Sequence, residues 1–199
     1  MQKTISRCGW CVGKPLYEQY HDTEWGVPVY DDQKHFEFLV LESAQAGLSW
    51  YTILQRRDVY KKAFADFDPK KVAKFSDVKA EQLLLSSGII KNRAKVFAAI
   101  NNAKRFLEIQ REFGSFTKYI WSFVENTVID HTVQDIKRIP VTTNESDLLA
   151  KDMKKRGFQF LGSTTLYAHM QACGLVNDHT VDCFRYQQVK KLEKKKKIQ

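Results

Sequence analysis

The sequence predicts an all-α fold of about eight to ten helices joined by short connections. Three observations carry that expectation. Helix-start residues recur at Asp31 or Asp32, Ser49, Asp68-Pro69, Ser76 or Asp77, Ser115 and Ser163. Glycines punctuate the ends of apolar-periodic stretches, at Gly47, Gly88, Gly114, Gly157 and Gly174. No alternation of period two lasts long enough to build a sheet.

Taken in order, residues 1–30 read as irregular and aromatic, with Trp10, Tyr17, Tyr20, Trp25 and Tyr30. Pro15 starts a short helix, PLYEQYHDTEW, on which Tyr17, Tyr20 and His21 share a face. The stretch FEFLVLESAQAGLSW, 36–50, begins as an apolar helix and ends in the turn Gln45-Ala46-Gly47-Leu48. Glu42 sits in its middle. Glu is rarely fully buried, so on helix statistics Glu42 belongs on a rim unless the interior needs a carboxylate.

Ser49 caps a helix over 50–64, and Asp68-Pro69 starts a short one to Phe75. The next helix ends in Leu83-Leu84-Leu85 near Gly88, and a long amphipathic helix covers 93–113. Ser115 caps 116–124. Residues 125–143 contain Pro140 and no helical period, which makes them a loop. Helices over 144–156 and from Ser163 to Gly174 follow. Residues 175–189 read as irregular. The chain is treated as one compact unit over 1–189, with room for two lobes, and a mobile Lys-rich tail over 190–199.

The 199 residues are 43% hydrophobic and 28% charged, the composition of a globular protein with a sizeable core. No run of 18 apolar residues exists, so no membrane span is expected. The start, MQKTISRCGWC, lacks the apolar block of a signal peptide, and a cytoplasmic protein is expected. The net charge is +9, and the tail KKLEKKKKIQ supplies more than half of it, six Lys against one Glu. Such a bias fits nucleic acid and equally fits a solvated tail.

Three patterns bear chemistry. The first is Leu83-Leu84-Leu85-Ser86-Ser87, then Gly88-Ile89-Ile90, then a helix that begins with basic residues. This has the form of a helix-hairpin-helix over about 79–112, whose backbone N–H groups suit a DNA phosphate, with Lys91, Arg93 and Lys95 near it. An ordinary helical corner has the same pattern. The second is Cys8 and His21 near one end and His179-x-x-x-Cys183 near the other. Two Cys and two His form a closed tetrahedral zinc set without an open position. On spacing alone, Cys11 competes with Cys8, and His169 with His179. The third is the aromatic cluster around His21 and Glu42. It suits a flipped base, and it suits an ordinary aromatic core.

RCGW, YEQYHDTEWGVP, LESAQAGLSW, GIIKNRAKV, WSFV, LAKDMKKRGFQFLG and MQACGLVNDHTVDC occur in this order over 7–183. Together they resemble the 3-methyladenine DNA glycosylase I family, within the helix-hairpin-helix glycosylase superfamily. The resemblance implies an N-glycosylase acting on 3-methyladenine in double-stranded DNA, with one structural Zn2+ held by Cys8, His21, His179 and Cys183. It places Glu42 as the catalytic and base-reading carboxylate. It makes Tyr20 and Trp50 the stacking walls, with Trp10, Tyr17 and Trp25 lining or supporting them. Gln45, Gly47 and Leu48 would form a wedge into DNA, and Gly88, Ile89 and Lys91 would grip phosphate. The superfamily's usual Asp downstream of the hairpin is missing here. Asp178, beside His179, is read as supporting rather than catalytic. A monomer without an obligate protein partner is expected. The rival reading is a non-catalytic module that binds damaged DNA.

Overall fold

The computed structural model describes residues 5–86 and 88–193. Pro15 opens α1 (Pro15–Thr23). The Asp31 carboxylate accepts from the Lys34 amide at 2.7 Å and starts α2 (Asp32–Gln45). Ser49 caps α3 (Trp50–Leu54), and α4 (Arg57–Ala63) follows after a break. Asp68 and Pro69 begin α5 (Pro69–Val72), and α6 (Asp77–Ser86) comes next. Asn92 caps α7 (Arg93–Phe113), which ends at Gly114 with φ 83°. Ser115 caps α8 (Phe116–Ser122). The strand β1 (Ile129–Asp130) and a 3-10 turn (Ile136–Arg138) precede α9 (Asn144–Lys155) and α10 (Ser163–Ala172). The strand β2 (Val176–Asn177) and α11 (Phe184–Glu193) complete the chain. The architecture is mostly helical, as the sequence predicts, and none of these helices is long and apolar enough to cross a membrane.

Four local expectations are corrected. The helix expected over 50–64 divides into α3 and α4, because Arg56 adopts φ −105° and ψ 3°, outside the helical region. Ser163 is the first residue of α10 rather than its cap. The capping position is Gly162, which offers no side chain. The loop over 125–143 contains β1, which pairs in parallel with β2 (Ile129 with Val176, Asp130 with Asn177). Finally, residues 184–193 are helical, although 175–189 read as irregular and the tail as mobile. Val189 is fully buried, and Asp130 accepts from Lys190 Nζ (2.7 Å) and the Tyr186 hydroxyl (2.9 Å). Those tertiary contacts, not a local pattern, hold α11. The rest of the tail, 194–199, lies outside the described residues.

The core is built around α2. Nine of its fourteen residues are buried, so it is a central helix rather than an amphipathic one. It packs against α3, α7, α8 and α10. Its C-terminal carbonyls, left open by helix geometry, are satisfied from α7. Lys95 Nζ donates to the Ala44 (2.9 Å) and Ala46 (2.6 Å) carbonyl oxygens. At the other side Gly174 permits a close backbone crossing. A Cβ there would lie 2.4 Å from Pro28 N, and φ is +67°. The crossing lets Val29 N–H donate to the Cys173 carbonyl (3.0 Å) and pins residues 26–29 against the end of α10.

Asp32 ties three helices. Its carboxylate accepts from Gln110 Nε2 (2.6 Å), the Phe116 and Thr117 amides (2.9 and 2.8 Å) and the Thr117 hydroxyl (2.6 Å). It therefore acts from α2 as a cap on α8. Burial alone would raise this carboxyl, but the donors from Gln110, Thr117 and Phe116 outweigh it and hold it below the usual carboxylate range. The stabilisation is complete above the unfolded-state value and is lost as pH falls through the lower folded-state value. Asp32→Asn should lower unfolding free energy at pH 7 by about 2 kcal/mol, since charge-assisted bonds weaken and one acceptor becomes a donor. The deficit should shrink in acid. Urea titrations at pH 7 and pH 3 check this, and an unchanged midpoint at pH 7 would contradict it.

Candidate functional site

Two sites share α1. The turn after α1 and the segment before it bring Trp10, Tyr17, Tyr20 and Trp25 together. Trp10 lies edge-on to Tyr17 (5.4 Å) and Trp25 (5.2 Å). Tyr20 faces Trp50 at 5.8 Å, and Phe38 of α2 stacks behind Trp50 at 6.3 Å and 22°. The Tyr17 hydroxyl accepts from the Tyr51 amide (2.8 Å), which fixes the start of α3 against α1. These rings, with Glu42 and Gln45 of α2, enclose a cavity of about 340 Å³, within the range of small-molecule sites. Ile136 and Ile139 form another wall, and Ala168, Gln171 and Ala172 of α10 complete it. A wider groove of about 720 Å³ lies by Glu24, Lys34, Glu37 and Arg57. Its charges pair with one another, Arg57 with Glu24 (2.7 Å) and Glu37 (2.6 Å), and Lys34 with both carboxylates.

Glu42 is not on a rim. It is 4% exposed, and its Oε2 lies 2.8 Å from His169 Nδ1. His169 Nε2 is 3.0 Å from His35 Nδ1, and His35 Nε2 is 3.2 Å from the Val29 carbonyl oxygen. Burial pushes the Glu42 carboxyl well above its ordinary range. Burial pushes His169 down to about 3, and burial together with the neighbouring His169 brings His35 down to about 3. The sequence treats His169 only as a rival metal ligand and gives His35 no role. An isolated His on an apolar helix was the sole signal of either. His35, His169 and Cys173 place their donor atoms within 4.8 Å of one another. The two ring nitrogens already meet at hydrogen-bond distance, nearer than two ligands of one tetrahedral ion normally sit.

The second site lies on the other side of α1. Cys8, His21, His179 and Cys183 are all buried, with ligand atoms within 4.8 Å of one another. Cys183 Sγ is 3.4 Å from His21 Nε2 and 3.7 Å from His179 Nδ1, and Cys8 Sγ is 3.6 Å from His179 Nδ1. A tetrahedral ion about 2.3 Å from sulfur and about 2.0–2.1 Å from nitrogen sets S···N edges of about 3.5–3.6 Å. The donor set therefore fits a structural metal. The outer nitrogens are already engaged. His21 Nδ1 donates to Asp22 (2.8 Å), and Arg7 grips that carboxylate through Nε (2.9 Å) and Nη2 (2.7 Å). His179 Nε2 donates to the Trp25 carbonyl (3.1 Å). This leaves His21 Nε2 and His179 Nδ1 free to ligate. Cys11 is apart from the cluster, its thiol donating to the Cys8 carbonyl (3.1 Å).

The two sites buttress each other. Trp25 lies 4.6 Å edge-on to His179 and Trp10 lies 5.5 Å from His21. Gly26 (φ +77°) makes room for His179, whose Nε2 would lie 2.8 Å from a Cβ there. Asp178 is buried and fully engaged, accepting from His131 (2.6 Å), Tyr167 (2.6 Å) and Gln171 (2.7 Å). Burial raises it, those donors outweigh burial, and the net effect holds it below the usual carboxylate range. It orients Gln171 in the cavity wall.

The turn after α2 is exposed beside the cavity. Gln45 reaches the cavity wall, Gly47 has φ +81°, and Leu48 is 39% exposed. Gly88, Ile89 and Lys91 stand apart, between α6 and α7. Gly88 and Lys91 are exposed, whereas the Ile89 side chain is buried, and the Ile90 amide donates to the Tyr60 hydroxyl (3.2 Å). Two of the basic residues expected near this hairpin are engaged within the protein. Arg93 pairs with Glu81 (2.7 Å), and Lys95 caps α2.

Comparison with known proteins meets this geometry. The family model described as methyladenine glycosylase matches residues 10–186. DNA-3-methyladenine glycosylase 1 of Escherichia coli (strain K12) is 46% identical over 182 residues, covering 92% of this chain and 97% of its own. DNA-3-methyladenine glycosylase of Haemophilus influenzae is 46% identical over 178 residues, covering 89% and 96%. A crystal structure of a 3-methyladenine DNA glycosylase I variant in complex with 3-methyladenine superposes with a TM-score of 0.88 at 36% identity, covering 90% of this chain and 97% of that one. The chain therefore belongs to the methyladenine glycosylase family.

Proposed function

We infer that this protein is a DNA-3-methyladenine glycosylase, which removes 3-methyladenine from alkylated double-stranded DNA by hydrolysing the N-glycosidic bond and so opens base excision repair. The observation that carries the reading is Glu42, a buried carboxyl group in an aromatic cavity in a chain of this family. N3-methylation gives adenine a positive charge, so the base already leaves readily and needs no proton from the enzyme. A flipped base enters the cavity lined by Tyr20 and Trp50, whose π faces favour a cation by about 1–2 kcal/mol each once desolvated. Glu42 Oε2 is engaged by His169. Oε1 then accepts from the exocyclic amino group, and water attacks the anomeric carbon as the base departs. Neutral adenine gains little from such a site and leaves poorly. Trp10, Tyr17 and Trp25 complete and support the walls.

Gln45, Gly47 and Leu48 are assigned to the wedge that fills the gap left by the base, because that turn is exposed beside the cavity. The α6–α7 connection is assigned to phosphate binding. There Gly88 and Ile89 contribute backbone, since the Ile89 side chain is buried, and exposed Lys91 contributes charge. The hairpin unit over about 79–112 belongs to one domain with the rest of 1–189. Cys8, His21, His179 and Cys183 would hold one Zn2+. A closed four-ligand set supplies cross-linking between the chain ends and no open coordination position. The protein is assigned as a cytoplasmic monomer without an obligate protein partner.

Glu42→Gln should reduce release of 3-methyladenine from methylated duplex DNA by about 10- to 100-fold, as expected for losing a bond to a charged group, with the fold retained. Chromatography of the released bases, beside a melting curve, checks this. Release at the parent rate would refute Glu42 as the reader, and no release by the parent protein would refute the activity itself. Lys91→Ala should weaken DNA binding and flatten its salt dependence by about one counterion, while leaving binding of free 3-methyladenine unchanged. Fluorescence titration at several salt concentrations measures both. An unaltered salt slope would remove Lys91 from the interface.

A further inference from the structure

The chain of hydrogen bonds behind Glu42 fixes where its proton sits. The Val29 carbonyl oxygen can only accept, so His35 Nε2, 3.2 Å away, carries hydrogen. A neutral imidazole has one N–H, which leaves His35 Nδ1 bare. The atom facing it at 3.0 Å, His169 Nε2, must then be a donor. That leaves His169 Nδ1 bare in turn, and Glu42 Oε2, at 2.8 Å, must carry the proton. Each link follows from the one before, and the only fixed end is a backbone carbonyl.

The surroundings keep the chain neutral. His35 and His169 are fully buried, and burial pushes both imidazoles well below neutral pH and the Glu42 carboxyl well above its ordinary range. The other titratable groups facing Glu42 are the Tyr20 hydroxyl from α1 and the Cys173 thiol after α10. Burial pushes both upward, so both are neutral. Beyond them lie Glu24, Lys34, Glu37 and Arg57, which pair among themselves. An unpaired carboxylate buried at this position would bear a desolvation penalty of several kcal/mol. The acid form avoids it.

We propose that His169, oriented by His35, is a positioning residue that holds the Glu42 proton in hydrogen bond and takes it over when a cationic base enters. The cavity then presents a carboxylate to a charged base and a neutral acid to an uncharged one. In the transfer, the Glu42 Oε2–H bond breaks and a His169 Nδ1–H bond forms, and the charge of the pair stays zero. His169 Nε2–H continues to donate to His35 Nδ1, so no heavy atom has to move. The negative end of the new ion pair faces the base and the positive end faces the protein. Discrimination against neutral adenine thus includes the proton shift as well as stacking. This rests on the reading of Glu42 as the group that meets the base.

The test is long-range 1H–15N correlation of the histidine rings in full-length protein labelled with 15N-histidine. In the free protein, His169 should carry hydrogen on Nε2 only. With 3,9-dimethyladenine, whose positive charge is fixed, Nδ1 should become protonated. With adenine it should stay bare. A protonated Nδ1 in the free protein, or a bare Nδ1 with the cation bound, would overturn the proposal alone. A cation that perturbs no cavity resonance would overturn the base-pocket reading together with it. His169→Gln keeps a hydrogen-bonding partner but cannot take up the proton. It should weaken binding of the cation by about tenfold more than binding of adenine. Equal losses for both ligands would mark His169 as structural only.

Discussion

The structure depends on one juxtaposition in α1: neighbouring residues that serve different sites. Tyr20 faces the aromatic cavity and its neighbour His21 faces the Cys/His cluster. The cluster joins Cys8 to His179, 171 positions along the chain. Burying two thiols and two imidazoles together is unfavourable unless something holds their lone pairs. A divalent cation would do so, taking the place of the thiol protons. Trp10 and Trp25 each touch a histidine of the cluster and also line the cavity. A metal held by the cluster would thus brace the cavity walls as well as join the chain ends.

Inside the cavity, low polarity does two things. It strengthens the attraction between a π face or carboxylate and a cation. It also makes a standing negative charge costly when no cation is there. A carboxyl group bonded to a neutral imidazole meets both demands, because its charge can develop on binding. The helix that carries it, α2, is buried along most of its length and held at its ends from elsewhere. Lys95 satisfies its C-terminal carbonyls, and Asp32 binds it to α7 and α8. Lys95 also belongs to the first turn of α7. The α6–α7 hairpin and the turn after Glu42 are therefore mechanically joined, although the hairpin lies outside the cavity.

Much of this was legible in the sequence, for local reasons. Pro15, Asp31, Ser49, Asp68-Pro69 and Ser115 announce helix starts by backbone chemistry that needs no tertiary context. The metal-ligand types were visible, but not the choice among them. Cys11 lies three residues from Cys8, and only the fold shows its thiol turned to the Cys8 carbonyl. The illegible parts share a cause, dependence on distant partners. Residues 184–193 have little helical amphipathicity, and Asp130 and the buried Val189 hold them. The pairing of β1 with β2 is too short to leave a pattern. Asp32 looked like an alternative cap for its own helix, yet it caps α8, 85 positions from Thr117. Glu42 looked like a rim residue because His169, 127 positions away, cannot be inferred from its neighbours.

With a metal ion bound, the Cys8–His21–His179–Cys183 cluster would hold the walls of the base site in place. The most direct measurement is tryptophan fluorescence titration with free 3-methyladenine on native, chelated and zinc-restored protein, beside elemental analysis and far-UV circular dichroism. About one equivalent of zinc in the native protein is expected from a closed four-ligand site. Base binding should weaken on chelation while most helix remains, and it should return with zinc. Unchanged affinity in metal-free protein, or native protein holding little zinc, would contradict the claim.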